Sequence, residues 1–273
     1  MLPEAVVFSD SLSIELIRRS LSTGLVGNQI YLFDEVSSTN DVLRRLAAEG
    51  AREGTVVLAE AQRAGRGRQG QRWYSPRGVN LYGSVLFRPA IPPKEAPVFS
   101  FIASLALTEA IWAEGLPAAI KWPNDVLVER KKVAGTLVEC ATVDRGVEHV
   151  ILGVGVNLNV SRAALRAALG EAGRAATSLR EVAGRAIDRN AFTATFLNIL
   201  DRWCETYAEH GPQPVLEAWR DRDILTGRRV EIRGDGEPYG GRVLRVNHEG
   251  HLVVESGPGA VHEVLAGEVR LAD

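Results

Sequence analysis

The stretch GRGRQGQRW, residues 65–73, combines glycines, fixed positive charge and an aromatic ring. Backbone amides freed by glycines, together with arginine guanidinium groups, can surround the oxygens of a phosphate or carboxylate. No Asp or Glu occurs from residue 61 to residue 94, where seven Lys and Arg residues lie, although the whole chain has a net charge of -2. The stretch is therefore predicted to be a loop that binds an anion.

Two other interpretations of this basic loop are available. A Gly/Arg run can bind single-stranded nucleic acid, with Trp73 and Tyr74 as stacking platforms, or it can form a solvated basic hairpin. The run is short, does not recur and lies between two predicted strands, which favours the anion-binding loop. The near-neutral net charge also argues against a general binder of nucleic acid or membrane surfaces.

Two short motifs supply lysines that could stabilise charge developing in phosphoryl or nucleotidyl transfer. KWPND, residues 121–125, places Lys121 on a predicted strand beside a Pro-Asn-Asp turn, and RKKVAG, residues 130–135, places Lys132 before two small residues. Each motif also has a structural interpretation, because Pro-Asn-Asp is a common hairpin turn and lysines solvate exposed turns. The residues alone leave both interpretations open.

Residues 150–160 alternate between the two faces of a predicted strand. One face is wholly aliphatic, and the other carries two glycines and two amides: Ile151, Gly153, Gly155, Asn157 and Asn159. Glycines within a strand often mark a place where another group approaches the backbone closely. That group is either a ligand or a neighbouring element of the protein.

Periodicity and turn residues predict the elements that position these motifs. The predicted helices are 10–21, one that starts within 37–41 and ends at Gly50, 97–112, 191–209 and 214–222. The predicted strands are 30–33, 55–59, 79–87, the hairpin-like segments 119–128 and 132–140, and 150–160. Short β-rich runs beyond residue 225, at 229–232, 241–246, 252–254 and 261–264, predict a small barrel.

Composition indicates an ordinary globular protein. The chain has 273 residues, of which 45% are hydrophobic and 24% charged, which fits one large or two unequal domains. Cys140 and Cys204 have no CxxC partner or nearby His, which predicts packed, free thiols in a reducing compartment. Without a basic N-terminal start or an apolar run near ~18 residues, the chain is expected to be soluble, cytoplasmic and not membrane-bound.

Four separated blocks resemble the biotin protein ligase family in order and spacing. They are STN at 38–40, AEAQRAGRGRQGQRWYSPRGVNLYGSVLFRP at 59–89, KWPNDVLVERKKVAGTLVE at 121–139 and GVGVNLN at 153–159. The resemblance extends from about Ile30 to the C-terminus and includes TSL at 177–179. Because four blocks would have to coincide by chance, the motif set is specific.

The resemblance implies an α+β fold of the class II aminoacyl-tRNA synthetase-like, or biotin–lipoate ligase, type. Its parts would be a central mixed β-sheet flanked by helices and a small C-terminal SH3-like β-barrel. The implied catalytic domain is 1–224, with 1–28 as a short N-terminal extension, and the implied barrel is 225–273.

The activity that the resemblance implies has two steps. Biotin and MgATP give biotinyl-5′-adenylate and pyrophosphate, and the adenylate then acylates a lysine of a biotin carboxyl carrier protein, the acceptor domain of acetyl-CoA carboxylase or of another biotin enzyme. ATP, biotin and Mg²⁺ are thus the expected small molecules. Because no Asp/Glu cluster resembles a dedicated metal cage, the phosphates are expected to carry much of the magnesium coordination.

The resemblance also assigns site residues. Catalytic roles fall to Arg66, Lys121 and Lys132. Biotin binding falls to Ser38, Thr39, Asn40, Gln62, Arg66, Gly67, Arg68, Lys132, Gly135, Gly153 and Gly155. Binding of ATP or the adenylate falls to Arg66, Arg68, Gln71, Trp73, Lys121, Asn124, Asp125, Lys132 and Asn157.

One position departs from the family pattern. The family usually continues GRGRxGRxW, whereas Gln71 occupies the second Arg position here and Arg72 follows it. Either Arg72 substitutes from the neighbouring position, or the loop holds the adenylate less tightly.

Other functions remain as alternatives. A lipoate or octanoyl ligase resembles this family in fold and acyl-transfer logic, and a non-catalytic carrier-binding or nucleic-acid-binding protein would keep the surface without turnover. The GRGR block together with KWPND favours biotin. Residues 1–27 are fewer than the ~35 that a winged helix needs, so no binding of operator DNA is expected. Whether a sheet edge forms a homodimer is left open.

Overall fold

The computed structural model describes residues 11–144, 146–233, 237–265 and 267–272. Within these ranges the first sheet consists of β1 (Gln29–Phe33), β2 (Thr55–Ala59), β3 (Leu81–Phe87), β4 (Ala118–Lys121), β5 (Asp125–Val128), β6 (Lys131–Val143) and β7 (Gly146–Val156). The second sheet consists of β8 (Arg229–Arg233), β9 (Tyr239–Val246), β10 (Leu252–Gly257), β11 (Ala260–Val264) and β12 (Glu268–Leu271). The α-helices are α1 (Ile14–Arg19), α2 (Thr39–Ala48), α3 (Val98–Ala113), α4 (Arg162–Leu169), α5 (Glu171–Arg174), α6 (Leu179–Ala183), α7 (Arg189–His210) and α8 (Pro212–Arg220).

The central sheet has the strand order β1-β2-β3-β7-β6-β5-β4. Strand β1 pairs with β2 in parallel, and the other pairs are antiparallel, which confirms the predicted mixed sheet. Every residue of β2 and β3 is buried, because helices cover both faces. Helix α2 packs on one face through Val42 and Leu43, which share a cluster with Ile151, and α3 packs on the other face.

Helix α3 is the core helix of the fold. The stretch Pro93–Ala113 is long and apolar enough to cross a membrane, but 72% of its most apolar window is buried within the protein. Two of its phenylalanines pack against neighbouring aromatic rings, Phe99 tilted against Phe87 and Phe101 edge-on to Trp219. The apolarity of this helix therefore serves packing between the sheet and helices α7 and α8.

Tight turns place the two lysine motifs, as predicted. KWPND forms the turn between β4 and β5, with Lys121 paired to Asp125. Glu129 and Arg130, both at positive φ (50° and 62°), form the next turn, a geometry that suits a two-residue hairpin connection. The two-residue turn sets Lys132 opposite Leu127, and a β-bulge follows this pair. The two turns lie at opposite ends of β5, and the Lys132 side chain reaches back so that its Nζ lies 2.5 Å from Asp125 Oδ1.

The structure corrects three predictions. Strand β7 ends at Val156, so Asn157 and Asn159 lie beyond it. The backbone N–H of Asn157 donates to the Val133 carbonyl, and that of Asn159 donates to the Val79 carbonyl. Helices α4, α5 and α6 were not predicted: α5 and α6 have only 4 and 5 residues, and α4 buries only Leu165. Cys140 is exposed instead of packed, because beyond Gly135 β6 has only β7 beside it.

The second sheet is antiparallel, with the order β11-β10-β9-β8-β12, as expected for a small barrel. It adds β12, which the sequence pattern did not predict. Trp122 donates its Nε1–H to the Gly250 carbonyl at 2.9 Å, and Arg220 donates to the Val246 carbonyl at 2.9 Å. These bonds join the second sheet to the first, and the boundary at 224/225 stays a prediction.

Residues 24–26, which precede β1, are anchored by the buried carboxylate of Asp201. Asp201 accepts hydrogen bonds from the backbone amides of Gly24, Leu25 and Val26 at 2.7, 3.1 and 2.7 Å. We expect Asp201→Ala to lower the free energy of unfolding by about 3 kcal/mol, since buried donors lose a charged acceptor. Urea unfolding measures this, with Asp221→Ala, an exposed carboxylate, as the control that leaves the midpoint unchanged. A loss below about 1 kcal/mol would contradict the anchoring role.

Candidate active site

A cavity of about 950 Å³ lies where α2 begins, beside the basic loop and across the middle of β6 and β7. Every residue that the sequence assigned to a site lines this cavity. Helices α4 and α5 and strand β12 complete its walls with residues that the sequence did not assign: Leu165, Leu169, Glu171, Ala172, Arg174, Glu268, Val269, Arg270 and Leu271. The structure therefore gathers motifs more than 100 residues apart around one space.

Polar side chains line the end of the cavity at the start of α2. Gln62 accepts hydrogen bonds at Oε1 from the amide and hydroxyl of Thr39 at 2.9 and 3.2 Å. Ser38 is the N-cap residue of α2, but its hydroxyl makes no capping bond and no other hydrogen bond within the described ranges. A buried hydroxyl that is not used for capping is available to a ligand.

Gly153 and Gly155 of β7 leave room for neighbouring side chains of the protein. A Cβ atom on Gly153 would lie 2.4 Å from Asn40 Oδ1, and one on Gly155 would lie 2.4 Å from Cε2 of the Trp73 indole. Of the two occupants left open above, the structure therefore shows the protein itself. The two glycines therefore affect a ligand indirectly, because they leave room for the Asn40 and Trp73 side chains that line the cavity.

The basic loop lies across the cavity mouth. The amide of Gly67 donates to the Gln71 carbonyl at 2.7 Å, and the amide of Trp73 donates to the Gly65 carbonyl at 2.9 Å. These bonds fold residues 65–73 into a compact turn. Gln71 and Arg72 are exposed, so the departure from the family pattern lies on the outer rim of the cavity.

Arg66 ties this loop to helix α2. Its guanidinium forms a two-pronged pair with Asp41, at 2.9 Å from Nη1 to Oδ2 and 2.7 Å from Nη2 to Oδ1. Hydrogen bonds from Arg66 lower the pKa of the Asp41 carboxyl, and the same bonds raise the pKa of Arg66. Arg66 therefore stays a cation. In this arrangement the Asp41 carboxylate occupies the two guanidinium nitrogens of Arg66 that could otherwise bind a phosphate.

Two half-buried cations point to an anionic ligand. Burial lowers the pKa of Arg68 and of Lys121, while the nearby charge of Asp125 opposes both shifts. The guanidinium of Arg68 makes no hydrogen bond or ion pair with any residue in the described ranges. A desolvated cation without a close counterion is stabilised when an anion binds beside it.

Lys132 lines the cavity between Asp125 and the ring of Trp73. Its Nζ lies 2.5 Å from Asp125 Oδ1 and 5.4 Å from the centroid of the Trp73 ring. Trp73 Nε1 is buried without a hydrogen-bond partner in the described part of the chain. A cation, an aromatic face and an orphaned donor thus meet at one point, which is suited to a flat heterocycle bearing phosphate.

Asn124 and Asn157 are largely committed to the scaffold. Asn124 Nδ2 donates to the Thr136 carbonyl at 2.5 Å, and Asn157 Nδ2 donates to the Thr177 carbonyl at 3.1 Å. Both side chains line the cavity, so each amide holds the cavity wall in place and keeps part of its hydrogen-bonding capacity for a ligand.

Sequence reasoning missed residues that act through others. Hydrogen bonds hold the predicted side chains Asn40 and Arg66 in place, and their partners are Ser84, Asp41 and Glu139. The only sequence signal for a role of Glu139 was its position at the end of the third motif block, residues 121–139. A separate group of potential metal ligands, Glu249, His251 and Glu263, lies on the second sheet and does not line the cavity.

Comparisons with known proteins agree with this geometry. The model of the biotin/lipoate A/B protein ligase family matches residues 32–157. The chain is 32% identical to the bifunctional ligase/repressor BirA of Bacillus subtilis, covering 95% of this chain and 79% of that protein. It is 34% identical to the biotin–[acetyl-CoA-carboxylase] ligase of Paracoccus denitrificans, covering 85% and 96%.

The chain belongs to the biotin protein ligase family of enzymes. Its fold agrees with that of a biotin protein ligase from Aquifex aeolicus solved in complex with biotin and ATP, with a TM-score of 0.73 and 26% identity over 89% of this chain and 98% of that one. Membership fits the cavity described above, because a biotin protein ligase must hold a small heterocycle and a nucleotide side by side.

Proposed function

We propose that this family member activates biotin with MgATP and transfers the biotinyl group to a lysine of a biotin carboxyl carrier protein domain. The observation that carries the proposal is the single cavity with two chemically different sides. One side offers hydroxyl and amide groups suited to a ureido ring, and the other offers cations and an aromatic ring suited to a nucleotide. The carrier is supported by the acetyl-CoA-carboxylase ligase from Paracoccus denitrificans.

In the first step a carboxylate oxygen of biotin attacks the α-phosphorus of ATP. A new P–O bond forms, the bond to the oxygen that bridges to the β-phosphorus breaks, and pyrophosphate leaves with the electron pair. Two anions must meet, so the cations of Lys132 and Arg68 reduce their repulsion and stabilise charge on the transferring phosphoryl group. Lys121 is the cross-strand partner of Asp125, the carboxylate that Lys132 contacts.

In the second step the amine of the acceptor lysine attacks the acyl carbon. The C–N bond forms, the C–O bond to AMP breaks, and the amine loses a proton. We propose that loop 65–73 keeps water from the acyl-adenylate until the carrier arrives. The trapped mixed anhydride would otherwise hydrolyse.

Magnesium fits the cavity as an ion held mainly by the phosphates. The carboxylates lining the cavity are Asp125, Glu171 and Glu268. Mg²⁺ commonly binds through one or two carboxylates together with substrate phosphates. These carboxylates supply oxygen donors of the right kind, and the ion would supply neutralisation of phosphate charge.

A pyrophosphate-release assay separates this function from the alternatives. We expect release with biotin and ATP, and far less with lipoate or octanoate in place of biotin. Preference for lipoate would favour the lipoate ligase. Absence of release with every acid would favour a non-catalytic carrier-binding or nucleic-acid-binding protein.

The basic loop gives a prediction about ligand-dependent ordering. The arginines of residues 65–73 are trypsin sites, and the ion pair of Arg66 with Asp41 competes with contacts to ligand. We expect biotin and ATP together to slow cleavage within the loop, because the loop orders over the adenylate. Equal cleavage rates with and without ligands, measured by mass spectrometry of the fragments, would contradict the lid.

Position 71 gives a prediction about adenylate retention. We expect Gln71→Arg to slow dissociation of the adenylate by about 3- to 10-fold, since an added cation at the cavity rim attracts its phosphate. Stopped-flow chase of bound adenylate measures the rate, with Gln69→Arg on the same turn as the control. Unchanged retention would favour substitution by Arg72.

We further propose that the protein works in the cytoplasm, as a soluble enzyme. Burial of α3 supports this, because the most apolar segment is occupied by packing. The expectation that this chain does not bind operator DNA stays a prediction, and specific retention of a DNA fragment in a gel-shift assay would contradict it.

A further inference from the structure

Glu139 on β6 lies at the centre of a polar network behind the cavity wall. Its carboxylate accepts a hydrogen bond from Asn40 Nδ2 at 2.8 Å and from Arg44 Nη2 at 2.8 Å. Arg66 Nη2 lies 3.5 Å from its other oxygen. Glu139 thus contacts both a residue assigned to the biotin ring and the arginine of the basic loop, although it does not itself line the cavity.

The network fixes which end of the Asn40 amide faces which neighbour. Asn40 is 3% exposed, and its Oδ1 accepts a hydrogen bond from Ser84 Oγ at 2.6 Å. A hydroxyl can donate or accept, so Ser84 would tolerate either orientation of the amide. An ionised carboxylate only accepts, so Glu139 tolerates only the orientation that presents Nδ2 to it.

The orientation of the Asn40 amide decides which hydrogen-bonding groups this side chain presents to the cavity. A side-chain amide has two N–H donors and two acceptor lone pairs on oxygen. Ser84 uses one lone pair of the Asn40 oxygen and Glu139 uses one N–H of the Asn40 amide. One N–H donor and one acceptor lone pair of Asn40 therefore remain, each in a fixed place. A cyclic urea presents an N–H and a carbonyl side by side, and a reversed amide would set donor against donor and acceptor against acceptor.

We propose that Glu139 is a positioning residue for recognition of the biotin ring. The inference rests on the proposed function, since it takes the ureido ring as the ligand. Its carboxylate orients Asn40 through the 2.8 Å hydrogen bond, and Arg44 donates to the same carboxylate oxygen at 2.8 Å. Glu139 touches no reacting atom, and its contact with Arg66 is the long one, at 3.5 Å, so its removal acts mainly on biotin binding.

Asp41 supplies a matched comparison. Asp41 and Glu139 both contact Arg44 and Arg66, but only Glu139 bonds Asn40. Asp41→Asn therefore disturbs the ion pairs of the loop and leaves the Asn40 orientation in place. Glu139→Ala disturbs both. The difference between the two variants isolates the orientation of the amide.

Steady-state pyrophosphate release tests the inference in the full-length protein. We expect Glu139→Ala to raise the biotin KM about 10-fold, with the ATP KM within about twofold of wild type. Glu139→Gln should return the biotin KM to within about threefold, because its carbonyl can accept from Asn40 Nδ2. Asp41→Asn also loosens Arg66, so its biotin KM measures the contribution of the loop ion pairs, and the biotin KM of Glu139→Ala should exceed it by about fivefold or more.

Thermal unfolding accompanies each measurement. Should Glu139→Ala not fold, Glu139→Met keeps the side-chain length without an acceptor and should show the same rise in biotin KM. A biotin KM within about twofold of wild type in both variants, or equal rises in the biotin and ATP KM values, would overturn the positioning role. Absence of biotin-dependent release in the wild-type protein would instead overturn the proposed function and the inference with it.

Discussion

Replacing Lys132 with Gln is expected to lower kcat for adenylate formation by about 10²- to 10³-fold, the usual cost of removing one group that stabilises charge in a transition state. Lys132 is the cation at the junction of the two sides of the cavity, 2.5 Å from Asp125 and close to the face of Trp73. The KM values for biotin and ATP should change much less, because the charge acts most strongly where the carboxylate meets the α-phosphate.

Lys131→Gln is the matched control for this prediction. Lys131 is the adjacent residue of β6, has the same chemistry and does not line the cavity. Its replacement should leave kcat unchanged. Rapid-quench measurement of biotinyl-adenylate formation gives the rate of the chemical step directly. A loss below about fivefold in Lys132→Gln would remove Lys132 from the catalytic role.

Alanine at Gly155 or at Gly153 of β7 is expected to separate the two sides of the site. In Gly155→Ala the new Cβ would meet the Trp73 indole at 2.4 Å, so the ring must move. We expect the ATP KM to rise about 10- to 100-fold, which corresponds to the loss of one base–aromatic stack. The biotin KM should change little.

Gly153→Ala should give the opposite pattern. Its Cβ would meet Asn40 Oδ1 at 2.4 Å and displace the amide, so the biotin KM should rise about 10-fold while the ATP KM holds. The two substitutions are chemically identical and two residues apart on one strand. Steady-state kinetics of both variants measure the split, and parallel changes in both KM values would contradict the assignment of the two sides.

Individual strands and turns were accessible from local patterns, whereas the mixed sheet and the gathering of the site residues were implied by the resemblance of the four motif blocks to the biotin protein ligase family. Strand 55–59 and the two hairpins carry clear strand and turn signals, and the structure has them. The end of β7 was wrong because Asn157 and Asn159 continue the alternation of the strand while their amides bond to other segments. Periodicity alone cannot distinguish the two cases.

The supporting residues of the site were beyond the sequence for a different reason. In the sequence, Asp41 and Glu139 resemble ordinary surface acids. The packing of α2 beside β6 brings Asn40 and Arg44, almost 100 positions away in sequence, to 2.8 Å from the Glu139 carboxylate. Strand β12 reaches the cavity wall only because the second sheet packs on Trp122. Such contacts depend on tertiary placement, which leaves no local pattern.

The most direct test of two-step biotin transfer combines a single turnover with a chase. The protein is mixed with biotin and α-labelled ATP, the bound product is identified by mass spectrometry, and a biotin carboxyl carrier protein domain is then added. We expect protein-bound biotinyl-5′-AMP, followed by release of AMP and one biotinyl group on one lysine of the carrier. Absence of bound adenylate, or adenylate that the carrier does not consume, would contradict two-step transfer.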